Sequence, residues 1–486
     1  MKIDFDSSIP LYRQLEKIIL AEYVDKKEKG SKIPSIYKIA DTYGVSVKVA
    51  RKAFESLRNK NYIRSNSKTG TVIKMSQKGN SILNICAFDP GLTSEKFIFD
   101  RLVNDFSIDN PDIKVNFLRI PFEKYDNWLN ELESRENPLD IIIVNESNCL
   151  DLRRHLVDLN QDSFLDNYDS LCFSEPKEMF TYGKRCYALP VYFSPVILLY
   201  NQNLFTPDFT EWTFDNFIAA ITKASNPALK IFGFSYRNHP NRWPALMLAA
   251  GAKTFIYKGL YSRFDFDDNF FEKCRNILEM NDSGEILCIG GGSEDNNTLC
   301  HLLLEGRVAS TTITYNELGM IAETIGEEIE LSLCPLPISP TNSSLAVGTA
   351  CGISKKSKNY INAKKFMQFL ISERSQVFLK KSGCGVPARK NIFKYDTEKI
   401  GDLTIKGYLS FKDCLGNMEF FKMFQKKDSV VSTYDKTMRL LLTKSLSLQE
   451  AAQKIRDTDL NPEPKKKKTS YFTPFYPSKV LLGSYE

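Results

Sequence analysis

Between Pro10 and Lys74 the sequence passes through three helical patterns and a short two-stranded pattern, an order that leaves few folds open. Leu11, Leu15 and Ile18 recur at helical spacing behind Pro10, whose missing amide hydrogen has no partner in a first helical turn. Ser35 stands at an N-cap position before the apolar stripe Ile36, Ile39 and Ala40, and Gly44 supplies the left-handed residue that stops a helix. After Gly44-Val45-Ser46, a third helix puts Ala50, Ala53, Phe54 and Leu57 on one face and turns Lys48, Arg51 and Lys52 to solvent. Tyr62-Ile63-Arg64 and Thr71-Val72-Ile73 predict two strands around a polar loop that contains Lys68 and Gly70.

Three helices and a hairpin in this order predict an α+β winged helix-turn-helix. The charge distribution agrees. Residues 1–75 hold 16 Lys+Arg and 8 Asp+Glu, a net of +8, while the whole chain of 65 and 59 nets +6, so the remainder nets −2. From Gly44 to Met75 eight basic residues face one acid, Glu55, which suits a surface that displaces counterions from phosphates.

Pro10 to Leu15, Ile33-Pro34-Ser35, Gly44-Val45-Ser46, Arg51 and Gly70-Thr71 together resemble the DNA-binding domain of GntR-family transcription regulators. The resemblance covers nearly all of residues 8–74. It implies a homodimer on a double-stranded operator, contacted through Ser35, Tyr37, Ser46, Lys48, Arg51, Lys68, Gly70 and Thr71. The chain departs from the family at Ile36-Tyr37, at Val47 and in the wing, Lys68-Thr69-Gly70, so the operator sequence cannot be carried over.

A length of 486 residues implies about three compact units. Met1 to Asp6 has acids where a signal peptide needs an apolar run, and no later stretch reaches the ~18 apolar residues of a membrane span, so a cytoplasmic protein with no membrane partner is expected. Eleven cysteines without a Cys-x-x-Cys pair fit reduced core thiols, and His155, His239 and His301 are scattered; no metal or cofactor is expected.

Ser76 to Asn80 is a polar linker, after which the pattern changes. Ile82 to Phe88 is an apolar run, a helical pattern follows through Phe97, Leu102, Val103 and Phe106, and Ile113 to Leu118 is the next strand. Asp140-Ile141-Ile142-Ile143-Val144 is continuous and β-branched, as expected for a parallel strand buried on both faces. This is α/β architecture, and its ligand crevice should lie at the carboxyl ends of the strands, near Asp89 and Asn145-Glu146-Ser147.

Further on, Tyr187 to Asn201, Thr210 to Phe217, Trp243 to Ala252, Glu305 to Ala309 and Gly348 to Phe366 resemble, in order and spacing, a family 1 extracellular solute-binding protein, the sugar receptor of ABC importers. The resemblance runs from about Ile82 to Arg456 and implies a two-lobed α/β periplasmic-binding-protein-like (type II) fold. Its chain crossings would fall near Pro190 to Leu198 and near Val308 to Thr312. By position it implies a carbohydrate stacked on Tyr192, Phe193, Trp243 and Tyr315, with Asp89, Asn145, Glu146, Asn316 and Glu317 as polar contacts.

The expected organisation is therefore a DNA-binding domain over 1–75, a linker over 76–81, a bilobal sensing domain over 82–456 and a tail over 457–486. The expected function is ligand-responsive transcription regulation with a small-molecule effector, most simply a sugar. The alternative is an aminotransferase-like domain with pyridoxal phosphate, for which Gly352-Ile353-Ser354-Lys355 offers only a superficial lysine context. A third reading, hydrolysis of the bound ligand, finds no Gly-x-Ser-x-Gly or His-Glu-x-x-His motif, so no enzyme is expected.

Overall fold

Local signals set the first elements. The computed structural model describes residues 3–5, 10–24, 30–59, 62–66, 70–74, 81–88, 93–120, 128, 138–146, 148–161, 168–239, 242–252, 254–257, 261–264, 266–290, 295–326, 328–337, 344–383, 385–420 and 429–460. Helix α1 (Leu11–Ile19) starts at Pro10 and runs into one π turn, Leu20–Val24. Helix α2 (Ile36–Thr42) begins where Ser35 Oγ accepts the Lys38 N–H at 3.3 Å. It ends at Tyr43, and Gly44 follows at a φ of +63°, a conformation that a side chain would strain. Helix α3 (Val47–Asn59) buries Ala50, Ala53, Phe54 and Leu57 fully against α1 and α2. Strands β1 (Ile63–Asn66) and β2 (Gly70–Ile73) pair antiparallel, with Ile63 opposite Ile73.

The rest of the chain moves back and forth between two sheets. β3 (Ser81–Phe88), α4 (Thr93–Asp109), β4 (Ile113–Ile120) and β5 (Ile141–Asn145) begin the first lobe. After a small hairpin of β6 (Thr181–Tyr182) and β7 (Arg185–Cys186), strand β8 (Leu189–Pro195) passes at Val196 into β9 (Ile197–Asn201) of the second lobe. There follow β10 (Phe234–Arg237), a hairpin of β11 (Thr254–Tyr257) and β12 (Tyr261–Phe264), then β13 (Ile286–Ile289), β14 (Ser310–Ile313) and β15 (Leu331–Cys334). β16 (Ser344–Ile353) and β17 (Val386–Pro387) return to the first sheet. β18 (Glu398–Ile400) and β19 (Leu403–Lys406) join the second, and β20 (Met418–Phe420) pairs with β16 in the first. The sheet orders are β17-β8-β16-β5-β3-β4, with β20 beside β16, and β13-β10-β14-β9-β15-β19-β18.

The first expected crossing, Pro190 to Leu198, matches the β8-to-β9 passage. The second is corrected: Val308 to Thr312 leads into β14 inside the second sheet, and the return runs between β15 and β16. β9 pairs antiparallel with both β14 and β15, which holds those strands in one sheet.

β5 and the middle of β3 are buried on both faces. Leu83, Ile85, Ile141 and Ile143 pack on one side, and Cys86, Ile142 and Val144 on the other, the period-2 alternation of a covered parallel sheet. The interior of the N-terminal helices is continuous with the first of these sides. Tyr62 meets Tyr360 edge to face at 5.6 Å between ring centroids, and the Arg13 guanidinium donates to the Asn160 carbonyl. The helix Tyr315–Ile325 closely approaches the turn after the helix Glu373–Lys381. A Cβ on Gly383, whose φ is +65°, would lie 2.5 Å from Gly319 Cα. Both positions need glycine.

Ten described cysteines are free thiols, nine of them buried. Among the described residues no helix is long and apolar enough to cross a membrane, and no group of His, Cys, Asp or Glu is placed to hold a metal ion.

Candidate functional site

Strand direction decides where a site can form. β3 and β5 run parallel in the first lobe, and β10, β13 and β14 run parallel in the second. Their carboxyl ends gather at the β8-to-β9 crossover, since Asn145 lies opposite Thr349 on β16, Thr349 lies opposite Tyr192 on β8, and Ile313 lies opposite Ile197 on β9. Open α/β sheets hold ligands in such places.

On the first-lobe side, the Glu146 carboxylate is buried and accepts the Gly348 N–H at 2.8 Å. Burial pushes it up to about 7, against the lowering effect of the backbone donors Gly348 and Glu146. Asn145 and Asn148 clasp each other, each side-chain oxygen accepting the other's backbone N–H at 2.9 and 3.0 Å. The Asn145 carbonyl oxygen thus stabilises the loop.

On the second-lobe side a buried ionic cluster closes the ends of β10 and β14. Glu317 accepts from Arg237 Nη1 at 2.7 Å, from Arg242 Nη2, and from the Thr314 backbone N–H at 2.7 Å. Burial alone would raise this carboxyl, but Arg242 and Arg237 outweigh it and hold it at about 2. The helix carrying Glu317 starts in a capping box with Thr314, a Thr-x-x-Glu spacing visible in the sequence. Next to this cluster, Asn238 Nδ2 donates to the Arg439 carbonyl at 3.1 Å, while its buried Oδ1 has no partner among the described residues.

In this structure the rings of the expected stacking set are enclosed. Tyr192 packs beside Phe99, Phe193 beside Phe173, and Tyr315 between Tyr408 and Phe411. Tyr315 fastens the lobes together: its N–H donates to Ser194 Oγ at 2.6 Å and its hydroxyl to the Lys380 carbonyl at 2.8 Å. Trp243 is 0% exposed, and its Nε1–H donates to Asp435 Oδ1 at 3.2 Å. The physical reason is that each ring fills apolar space at a sheet or helix junction. Asp89 and the side chain of Asn316 lie outside the described residues.

Of the N-terminal candidates, Ser35, Ser46, Lys48 and Arg51 are exposed, and Tyr37 is 69% exposed. Gly70 opens β2 at a φ of +80°, and half-buried Thr71 sits with its hydroxyl 3.1 Å from Ser65 Oγ. Lys52 turns back over the Tyr12 ring at 4.2 Å, and Lys68 lies outside the described residues. Sequence reasoning missed Arg237, Asn238, Arg242, Ser194 and Asp435. Only the Thr314/Glu317 capping spacing hinted at any of this group.

One prediction follows from Glu146. Because its folded value lies above the ordinary 4.5, ionisation costs the fold, so stability is fully present below about 4.5 and is lost as pH rises toward 7. Glu146→Gln should remove that loss and stabilise the protein by about 3 kcal/mol at pH 8, with no gain at pH 4.5. Urea midpoints at the two pH values measure the difference, and equal midpoints at pH 8 would show that Glu146 ionises freely.

Residues 91–377, more than half of the chain, match the bacterial extracellular solute-binding protein family. No curated protein matches the sequence. Solved structures share the fold at low identity. An ABC substrate-binding protein from Listeria monocytogenes in complex with cycloalternan aligns with a TM-score of 0.59 and 18% identity, over 79% of this chain and 98% of that one. The GacH receptor of Streptomyces glaucescens, solved unliganded and with acarbose, gives 0.62 and 17% over 78% and 97%. The maltose/maltodextrin-binding domain MalE of Bdellovibrio bacteriovorus, bound to maltotriose, gives 0.58 and 15% over 78% and 99%.

Two expectations change with this match. The cytoplasmic placement is corrected, because the family is one of extracellular solute-binding proteins. The aminotransferase-like alternative is not favoured, and Lys355 is an exposed residue whose Nζ donates to the Arg154 carbonyl. Proteins of this kind bind solutes and typically do not transform them. With its two-lobed α/β fold and the match over residues 91–377, the chain belongs to the bacterial extracellular solute-binding protein family.

Proposed function

We propose that the chain is a ligand-responsive transcription regulator that takes a carbohydrate between its lobes and binds operator DNA, as a homodimer, through an N-terminal winged helix-turn-helix. The carbohydrate part is supported by the ligands of the similar structures, cycloalternan, acarbose and maltotriose. It is also supported by the polar groups at the strand ends, above all the buried Asn238 Oδ1, an acceptor that a ligand hydroxyl would satisfy. In this reading Glu146 becomes a ligand contact once the lobes part, and Trp243, enclosed in the core of the second lobe, supports the wall from behind.

The observation that carries the DNA part is the division of α3. One face is wholly buried, and the other presents Ser46, Lys48 and Arg51 to solvent beside a two-stranded hairpin. This part departs from the usual setting of the family and stands or falls on its own test. Selection from a random duplex library should return a pseudo-palindrome. Lys48→Ala combined with Arg51→Ala should weaken binding to it and reduce the log–log salt slope by roughly 2. Unchanged affinity and slope in the double variant, or no duplex recovered, would refute the DNA surface.

A further inference from the structure

We propose that the first lobe carries a second binding site, for a phosphate group, at the end of its sheet remote from the crossover. The site is a pocket of about 380 Å3 lined by Leu150, Asp151, Arg153, Arg154, Tyr187 and Lys355, within the size range of small-molecule sites. Its position follows from the register. Lys355 comes just after Ile353, which lies opposite Ile141 at the start of β5, whereas the crevice lies at the other end, by Asn145.

The chemistry of the lining selects the ligand. The Arg153 guanidinium donates to the Leu150 carbonyl and lies 5.9 Å from the centre of the Tyr182 ring. Arg154 Nε donates to His155 Nε2 at 2.8 Å, and Lys355 Nζ donates to the Arg154 carbonyl at 2.7 Å. Neutral acceptors thus anchor all three cations, and among the described residues none of the three forms an ion pair with a carboxylate. An arginine carries five N–H donors and a lysine three, so most remain available for a ligand's oxygens. Guanidinium forks and an ammonium group around one opening match a phosphate better than a neutral solute. Half-buried Tyr187 adds a ring face, and Asp151 adds an acceptor for a hydroxyl. The chemical class is therefore inorganic phosphate or the phosphate monoester of a small polyol. The segment that forms the pocket continues to Asn160, where Arg13 of the N-terminal unit is anchored.

Calorimetric titration of the full chain with inorganic phosphate, with glycerol 3-phosphate and with glycerol tests the site. Binding of a phosphate compound that weakens with added salt, with no heat from glycerol, is the expected result. A tighter ester identifies the monoester as ligand, and equal affinities identify the free ion; either outcome supports the site. Arg154→Gln combined with Lys355→Gln, both exposed positions, should reduce the affinity at least tenfold and leave the phosphate-free melting temperature unchanged. No heat from either phosphate at millimolar concentration, or a double variant that binds like the wild type, would overturn the proposal.

Discussion

Replacing Glu317 by alanine should lower folding stability by about 3–5 kcal/mol at pH 7, because it leaves two guanidinium groups buried without the carboxylate they share. Its pH dependence is opposite in sign to that of Glu146. Glu317 is held at about 2, below the ordinary 4.5, so its contribution is present above 4.5 and is lost as pH falls toward 2. Denaturant unfolding of the wild type and the variant should therefore differ strongly at pH 7 and converge near pH 2. A constant difference across that range would mean that the loss reflects packing alone.

The second large effect is expected at Trp243. Trp243→Ala empties a fully enclosed position beside Leu246 and Ala249 and should cost about 3–5 kcal/mol even without ligand. Burial, opposed by the Trp243 hydrogen bond and by Arg439, raises the Asp435 carboxyl. Trp243→Phe keeps most of the volume, removes the indole donor and should cost only about 1–3 kcal/mol. If the alanine variant unfolds at the wild-type urea midpoint, Trp243 is not part of the core of the second lobe.

The helices near the N-terminus were legible because their signals are local. Ser35 caps where its position implied and Gly44 adopts the left-handed conformation, both within one turn of the residues they control. Ile141 to Val144 was legible as a strand because burial on both faces leaves a continuous apolar run. The return crossing was not legible. Val308 to Thr312 reads like any buried strand, and it is the pairing of β14 with β10 and β9, both distant in sequence, that assigns it to the second lobe. The role of the aromatic set was not legible for a related reason: a ring that fills a core and a ring that carries a sugar have the same local pattern. Glu317 was selected as a polar contact, yet its partners Arg237 and Arg242 lie 80 and 75 positions earlier, beyond any spacing rule.

The proposed function requires that the solute crevice be coupled to a DNA-binding face, and the N-terminal helices pack directly onto the first lobe. The most direct measurement is the calorimetric affinity of the full chain for a maltooligosaccharide, taken with and without the selected duplex. Coupling must be reciprocal, so the factor by which the duplex changes oligosaccharide affinity should equal the factor by which the oligosaccharide changes duplex affinity. An affinity change of about 5-fold or more, equal in both directions, is the predicted result. Identical oligosaccharide affinity with and without duplex, for an oligosaccharide that binds, would contradict it.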